Sequence, residues 1–338
     1  MEIFEGKTIL ITGGTGFLGR SLIRRILKHN PQAIRVFSRD EVKHYKVQQL
    51  FNNDERLRFL LGDVRDLDRL RRATQGCDIV IHAAALKRVD MIEYNVGESI
   101  KTNVIGTLNL VNACTENKVK KVIFISTDKA CEPVNSYGAC KFVSERIFVE
   151  SNYSRGGPYP QFTCVRYGNV MQSTGSVIPF FAEKIKRQEK IPLTHAEMTR
   201  FIISANQAVD LVFDAIKYGI GGEIFVPKLP SFKVTQLINV LDKIYGHKSE
   251  IDLIGVRPGE KIHELMINSS EIPYTYEFKN NFVITSQIQD YINEKNAIYM
   301  LEGKKLNLIE MGDFCSKDTL VSDEEVSEII NNSLFRKN

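Results

Sequence analysis

Residues 8–19 read Thr8-Ile9-Leu10-Ile11-Thr12-Gly13-Gly14-Thr15-Gly16-Phe17-Leu18-Gly19, an apolar run that breaks into glycines and resumes as a helical pattern. The run before Gly13 is rich in β-branched residues and reads as a buried strand. Across Phe17–His29, Leu18, Leu22, Ile23 and Ile26 make one apolar face at helical spacing. Three of the four glycines here have a job. Gly13 permits the tight turn, Gly16 lets backbone approach a pyrophosphate, and Gly19 lets the helix pack closely on the sheet. The helix N-terminus then presents unpaired N–H groups and a positive dipole end to the phosphates. Gly13, Thr15, Gly16, Phe17, Leu18 and Gly19 are therefore candidate contacts to a dinucleotide.

Outward from that turn, strands are expected at Thr8–Thr12, Ala33–Ser38, Leu57–Leu61, Asp78–His82, Val122–Ser126 and Phe162–Tyr167, with helical stretches between them. The alternation predicts an α/β fold with a doubly wound parallel Rossmann sheet over residues 1–168. After about Asn169 the rhythm changes. Helical segments near Pro179–Glu189, Ala205–Tyr218 and Val234–Tyr245 are divided by Gly/Pro-rich loops, which predicts a smaller C-terminal α/β substrate-binding lobe over 169–338, with an approximate, discontinuous boundary. From about Lys279 onward no periodicity stands out.

The end of the second strand bears on which dinucleotide is held. A carboxylate directly there favours NAD by accepting from the ribose 2′-OH. Here Ser38 and Arg39 come first, with Lys43 close behind, and a guanidinium suits a 2′-phosphate. The expectation is NADP, with Asp40 as the complication. Asp63-Val64 ends the third strand, where a carboxylate can meet the adenine amino group. Ala84 lies in a run of small residues that leaves room for the cofactor after the fourth strand.

Composition excludes several function classes. The chain has 338 residues, is 43% hydrophobic and 25% charged, and carries a net charge of only +4. That balance argues against a nucleic-acid partner. No apolar run approaches the roughly 20 residues needed to cross a bilayer, so no membrane association is expected. The opening residues lead into a strand without a leader pattern, and a cytoplasmic protein is expected. The six cysteines show no metal-ligand spacing, and no metal is expected. His82 ends an apolar strand and reads as a packed core residue, and His195 as loop.

Catalytic chemistry enters with Tyr137-Gly138-Ala139-Cys140-Lys141. At i,i+4 the phenol and the amine share a helix face. A free phenol has a pKa of about 10 and is a poor base. A nearby ammonium stabilises the phenolate. Together with TGxxGxxG, Asp63-Val64 and Thr127, this pair resembles the extended short-chain dehydrogenase/reductase family. The stretches Ser126-Thr127-Asp128-Lys129-Ala130, Ala85–Val89, Arg166–Val170, Met198–Phe201, Gly222–Lys228 and Arg257-Pro258-Gly259-Glu260-Lys261 narrow the likeness. They resemble the short, configuration-inverting UDP-N-acetylglucosamine 4,6-dehydratases, from residue 7 to about residue 270. Related membrane-bound dehydratases carry N-terminal transmembrane helices and a Met in place of the tyrosine, and neither feature is present here.

The resemblance implies an internal redox cycle on UDP-N-acetylglucosamine. Tyr137 would take the 4-OH proton as hydride leaves C4 for NADP+, with Lys141 supporting the phenolate and gripping the nicotinamide ribose, and Thr127 on the reacting hydroxyl. Water would then leave across C5 and C6, and hydride would return to C6. The resemblance assigns Asp128 as the acid and Lys129 as the base. A direct ion pair pushes each away from that role, so desolvation by the sugar, or reversed or shared roles, stay open. Arg257 is implied at the diphosphate, Glu260 at the uridine ribose, and Lys87 and Asn169 near the sugar and phosphates. A homo-oligomer, as large as a hexamer, is also implied. Two other readings compete: a nucleotide-sugar 4-epimerase, needing Tyr137 and Lys141 but not Asp128 or Lys129, and a non-catalytic NADP-binding regulator.

Overall fold

In the computed structural model the described residues are 3–171, 177–288 and 297–334, with side chains as far as 331. Strand and helix alternate from the start: β1 (Thr8–Thr12), α1 (Phe17–Ile26), β2 (Ala33–Ser38), α2 (Glu41–Leu50), β3 (Leu57–Leu61), α3 (Leu67–Thr74) and β4 (Ile79–His82). Short helices α4 (Val89–Ile92) and α5 (Val96–Ser99) lead through a wider helical turn into α6 (Gly106–Glu116). Then come β5 (Lys121–Ile125), α7 (Ser136–Ser154) and β6 (Gln161–Val165). The expected strands appear within two residues of their predicted ends. The first helix stops earlier than expected. It tightens to a 3₁₀ turn over Leu27–His29, and Asn30 then takes a left-handed conformation, φ 47°.

The second half contributes β7 (Asn169–Val170), α8 (Val177–Lys186), β8 (Ile191–Leu193), β9 (Thr199–Ile203), α9 (Ala205–Tyr218), β10 (Ile224–Pro227), β11 (Ser231–Lys233) and α10 (Val234–Tyr245). It ends with β12 (Ile251–Leu253), β13 (Leu265–Ile267), β14 (Thr275–Phe278), β15 (Asn281–Ile284), α11 (Ile298–Leu301), β16 (Lys304–Lys305), β17 (Phe314–Cys315) and α12 (Asp323–Leu334). Helix α8 ends before the expected Glu189 because Gln188 turns the chain with φ 56°. Of the stretch after Lys279, residues 289–296 and 335–338 lie outside the described residues.

One ten-stranded sheet runs β16-β14-β15-β10-β6-β5-β4-β1-β2-β3. From β3 to β10 every pairing is parallel, and β15, β14 and β16 add antiparallel to that edge. Its first six strands have the order 3-2-1-4-5-6, so the topology switches between β1 and β4. In such sheets ligands bind beyond the carboxyl ends of the strands at that switch. The main core covers this sheet, and a second cluster joins α8, α10 and α12 through Ile178, Leu237, Leu241 and Ile330.

A fully buried ion cluster ties the two halves of the chain together. Arg166, just past β6, donates to both oxygens of Glu145 on α7 and both oxygens of Glu271, at 2.7–3.0 Å, and to the carbonyl of Met266. Removing one partner strands buried charge. Arg166→Met is therefore expected to cost about 3–5 kcal/mol of stability, checked by denaturant unfolding; a loss below about 1 kcal/mol would contradict this view of the cluster.

Candidate active site

The glycine turn lies at the topological switch. Gly13 has φ 67°, and a Cβ there would sit 2.8 Å from the backbone nitrogen of Ala84 after β4. Gly19 leaves no room for a Cβ against the Gly14 backbone. Gly16 is exposed at the mouth of the turn, while Phe17 and Leu18 open α1 half-buried. Thr15 is buried and its hydroxyl donates to Ser38 Oγ at 3.0 Å. His44 Nε2 lies 2.8 Å from the same Ser38 oxygen. The result is a backbone cradle that any side chain at Gly13 would fill, with a hydroxyl pair beside it.

Arg39 projects from the end of β2 with its side chain half exposed, 3.5 Å from Asp63 Oδ2. Asp63 is more firmly engaged by Arg65, at 2.7 Å. Val64 is buried against Gly106 at the start of α6. Asp40, the complicating carboxylate, is committed elsewhere: it caps α2 by accepting from the Lys43 backbone at 2.9 Å and pairs with Lys43 Nζ at 3.0 Å. Lys43 is thus turned toward Asp40, and Arg39 is the cation left facing outward at this strand end.

At the carboxyl end of β5 the chain makes a tight turn. Thr127 accepts from the Lys129 amide and donates to Asp128 Oδ1 at 2.8 Å. Lys129 Nζ donates to the same Oδ1 at 3.0 Å. Asp128 is fully buried, and its other oxygen, Oδ2, has no hydrogen-bond partner. Helix α7 begins directly against this turn. Asn135 caps it by accepting from Gly138 N at 2.8 Å, and Gly138 packs on the Lys129 carbonyl with no space for a Cβ. Tyr137 thereby comes to lie beside Thr127, Asp128 and Lys129, while Lys141, one turn on, reaches the Ile125 carbonyl.

Electrostatics refine the roles. Burial pushes the Tyr137 phenol up to about 12, against the lowering charge of Lys129 and the hydrogen bond with Thr127. Lys141 is buried, which pulls its amine down to about 8. It donates to the Ile125 carbonyl at 2.7 Å and lies 4.4 Å from the Phe124 ring centroid. The sequence reading gave phenolate support to Lys141. Here the charge of Lys129 bears on the phenol as well, and one of the three Lys141 donors is taken by the Ile125 carbonyl. Burial opposes charge on Lys129, but Asp128 and Glu264 outweigh it and hold the amine above the usual lysine range.

The Arg257–Lys261 loop docks on this region. Gly259 takes φ 79°, Asn135 Nδ2 donates to its carbonyl at 2.7 Å, and Lys261 Nζ donates to the Cys131 carbonyl at 2.6 Å. Glu260 is half-buried with an unpartnered Oε2, and Arg257 is exposed. Lys87 is exposed and pairs with no carboxylate among the described residues, and Asn169 is exposed on β7. His82 is buried between the hydroxyls of Thr12 and Thr107, which fits a packed residue, and His195 lies in a loop.

Two members of the site were not singled out from sequence. Glu264 Oε1 lies 3.4 Å from Lys129 Nζ and 3.7 Å from Arg200 Nε. Arg200 sits in a stretch that contributed to the resemblance but had no role assigned. Glu264 follows the Arg257–Lys261 motif by three residues, and only the fold brings it to Lys129. Its signal in sequence is a carboxylate immediately before the apolar run of β13.

The profile of the polysaccharide biosynthesis protein family matches residues 9–286. A UDP-N-acetylglucosamine 4,6-dehydratase (inverting) of Campylobacter jejuni subsp. jejuni serotype O:23/36 is 43% identical over 98% of this chain and 99% of its own. A UDP-glucose 4-epimerase of Rickettsia bellii is 40% identical over 98% and 97%. The X-ray structure of Pen from Bacillus thuringiensis superposes with a TM-score of 0.89 at 37% identity, over 98% of both chains. Among the described residues no helix is long and apolar enough to cross a membrane. With its Rossmann sheet, its glycine turn and this near-full-length likeness, the chain belongs to the polysaccharide biosynthesis protein family of extended short-chain dehydrogenase/reductases.

Proposed function

We propose that the chain is an NADP-dependent UDP-N-acetylglucosamine 4,6-dehydratase that inverts C5, working in the cytoplasm as a homo-oligomer. The observation that carries this reading is the pair of buried Asp128 and half-buried Lys129, 3.0 Å apart, packed under the first turn of Tyr137's helix. A 4-epimerase needs one base at the 4-hydroxyl. Dehydration needs in addition a proton donor for the departing 6-hydroxyl and an acceptor for the C5 proton. The likeness to the Campylobacter enzyme supports the same reading.

The residues around the glycine turn fit a dinucleotide. Gly13 to Gly19 would hold the pyrophosphate, Ser38 and Arg39 a 2′-phosphate, and Lys141 the nicotinamide ribose. When bound, the cofactor supplies a hydride acceptor for C4 and afterwards a donor for C6. Tyr137 removes the 4-hydroxyl proton, helped by Thr127's hydrogen bond and by Lys129's charge before that lysine's proton moves to Asp128. Sugar binding drives water from the Asp128–Lys129 pair, and loss of solvent favours its neutral form over its charged one. The shared proton then moves from Lys129 to Asp128, which yields an acid for the 6-hydroxyl and a base for C5 together. Arg257 and Lys87 offer exposed cations to the diphosphate, with Glu260 and Asn169 beside the nucleotide and sugar.

Folded, dinucleotide-loaded protein given UDP-N-acetylglucosamine alone is expected to make a 4-keto-6-deoxy sugar nucleotide without consuming reductant. Unchanged substrate would contradict the reading. Cofactor choice has its own test: Arg39→Ala is expected to weaken NADP about 10- to 100-fold, the worth of a charge-assisted phosphate contact, and to leave NAD binding unchanged. Titration calorimetry with both dinucleotides decides it. Light scattering tests the oligomer.

A further inference from the structure

We infer that Glu264 is a positioning residue for the elimination step, acting through Lys129. This rests on the dehydratase reading and adds to it a third side chain. Lys129 Nζ lies between two buried carboxylates, 3.0 Å from Asp128 Oδ1 and 3.4 Å from Glu264 Oε1. The Glu264 backbone is pinned on both sides. Its amide donates to Ser316 Oγ at 2.8 Å, and its carbonyl accepts from Ser316 N at 2.8 Å. Its Oε2 is buried and has no hydrogen-bond partner.

The groups facing Lys129 are Asp128 from the turn after β5, Tyr137 from α7, Arg200 from β9 and Glu264 from the approach to β13. Arg200 is fixed by donating to the carbonyls of Thr199 and Ile262, at 2.8 and 3.1 Å. Two buried carboxylates and one guanidinium therefore surround the amine. With Asp128 alone the amine would have one anchor and could swing about it. With both carboxylates it is held between them, under Tyr137. Glu264 also adds negative charge beside the amine, which favours its protonated form. The pair then keeps the single proton that elimination requires.

The test separates the two half-reactions. A 6-deoxy UDP-sugar can be oxidised at C4 but cannot lose water, so it reports Tyr137's step alone. Solvent deuterium entering C5 of the true substrate reports Lys129's step. In Glu264→Gln, C4 oxidation of the 6-deoxy sugar is expected to be unchanged, and deuterium entry at C5 to slow about 10- to 100-fold, as for a slightly misplaced catalytic group. The alkaline titration limb of the Lys129 amine in the free enzyme, followed by NMR, is expected to move to lower pH, because a charge that raised its affinity for protons is gone. Glu264→Asp, which keeps the charge on a shorter arm, should recover the pH limb and only part of the exchange rate.

Equal slowing of both half-reactions, or an unmoved limb with normal exchange, would overturn the inference. Should Glu264→Gln fail to fold, Glu264→Asp decides alone: slower C5 exchange with normal C4 oxidation supports it, and wild-type rates of both overturn it. If the wild-type protein itself puts no deuterium at C5, the dehydratase reading fails, and that result is distinct from failure at Glu264.

Discussion

Tyr137→Phe is expected to lower kcat by about 10²- to 10⁴-fold, the usual worth of a positioned acid–base group, with dinucleotide binding little changed. Only one oxygen is lost, and the helix that carries it is anchored independently by the Asn135 cap and by Gly138 against Lys129's carbonyl. The defect should appear in the first half-reaction, so neither the reduced cofactor nor the keto sugar would accumulate. Single-turnover absorbance of the nicotinamide measures this directly. A variant that oxidised C4 at the wild-type rate would remove Tyr137 from the mechanism.

Lys129→Ala is expected to be comparably severe, at about 10²- to 10⁴-fold in dehydration, with a more informative pattern. Two contributions vanish at once. C5 loses its proton acceptor, and Tyr137 loses the charge that opposes the effect of burial on its phenol. The phenol, already pushed up to about 12, would move further up, so the remaining C4 oxidation should be slower near neutral pH and recover as pH rises. Asp128→Asn should stop dehydration while sparing that oxidation more fully, since Asp128's charge raises the phenol's pKa rather than lowering it. If Lys129→Ala turned over UDP-sugars at the wild-type rate, the 4-epimerase reading would win, as the name of the Rickettsia relative would suggest.

Much of this was legible in the sequence because local chemistry dictated it. The run from Thr8 to Gly19 could hardly be anything but a strand, a phosphate-binding turn and a helix. β1, β4, β5 and β6 are buried along most of their length and therefore read as continuous apolar runs. β15 was illegible for a related reason. It is short and buried at every position, so Asn281–Ile284 has no alternation to reveal it. Asp128 and Lys129 were visible as neighbours in the chain, but their shared partner was not. Glu264 meets Lys129 only because β9, β13 and the Arg257–Lys261 loop fold over the end of β5. Lys141's bond to the Ile125 carbonyl escaped notice for the same reason: spacing puts it on Tyr137's face of the helix but does not say what it finds there.

The central claim is that a phenol, a carboxyl and an amine at the end of β5 remove and return protons at C4, C6 and C5 of one sugar. Incubation with UDP-N-acetylglucosamine in heavy water, followed by NMR of the product, measures this most directly. The account predicts a 4-keto-6-deoxy sugar carrying deuterium at C5 with inverted configuration there. A product that kept its C5 hydrogen, or that differed from substrate only at C4, would contradict it.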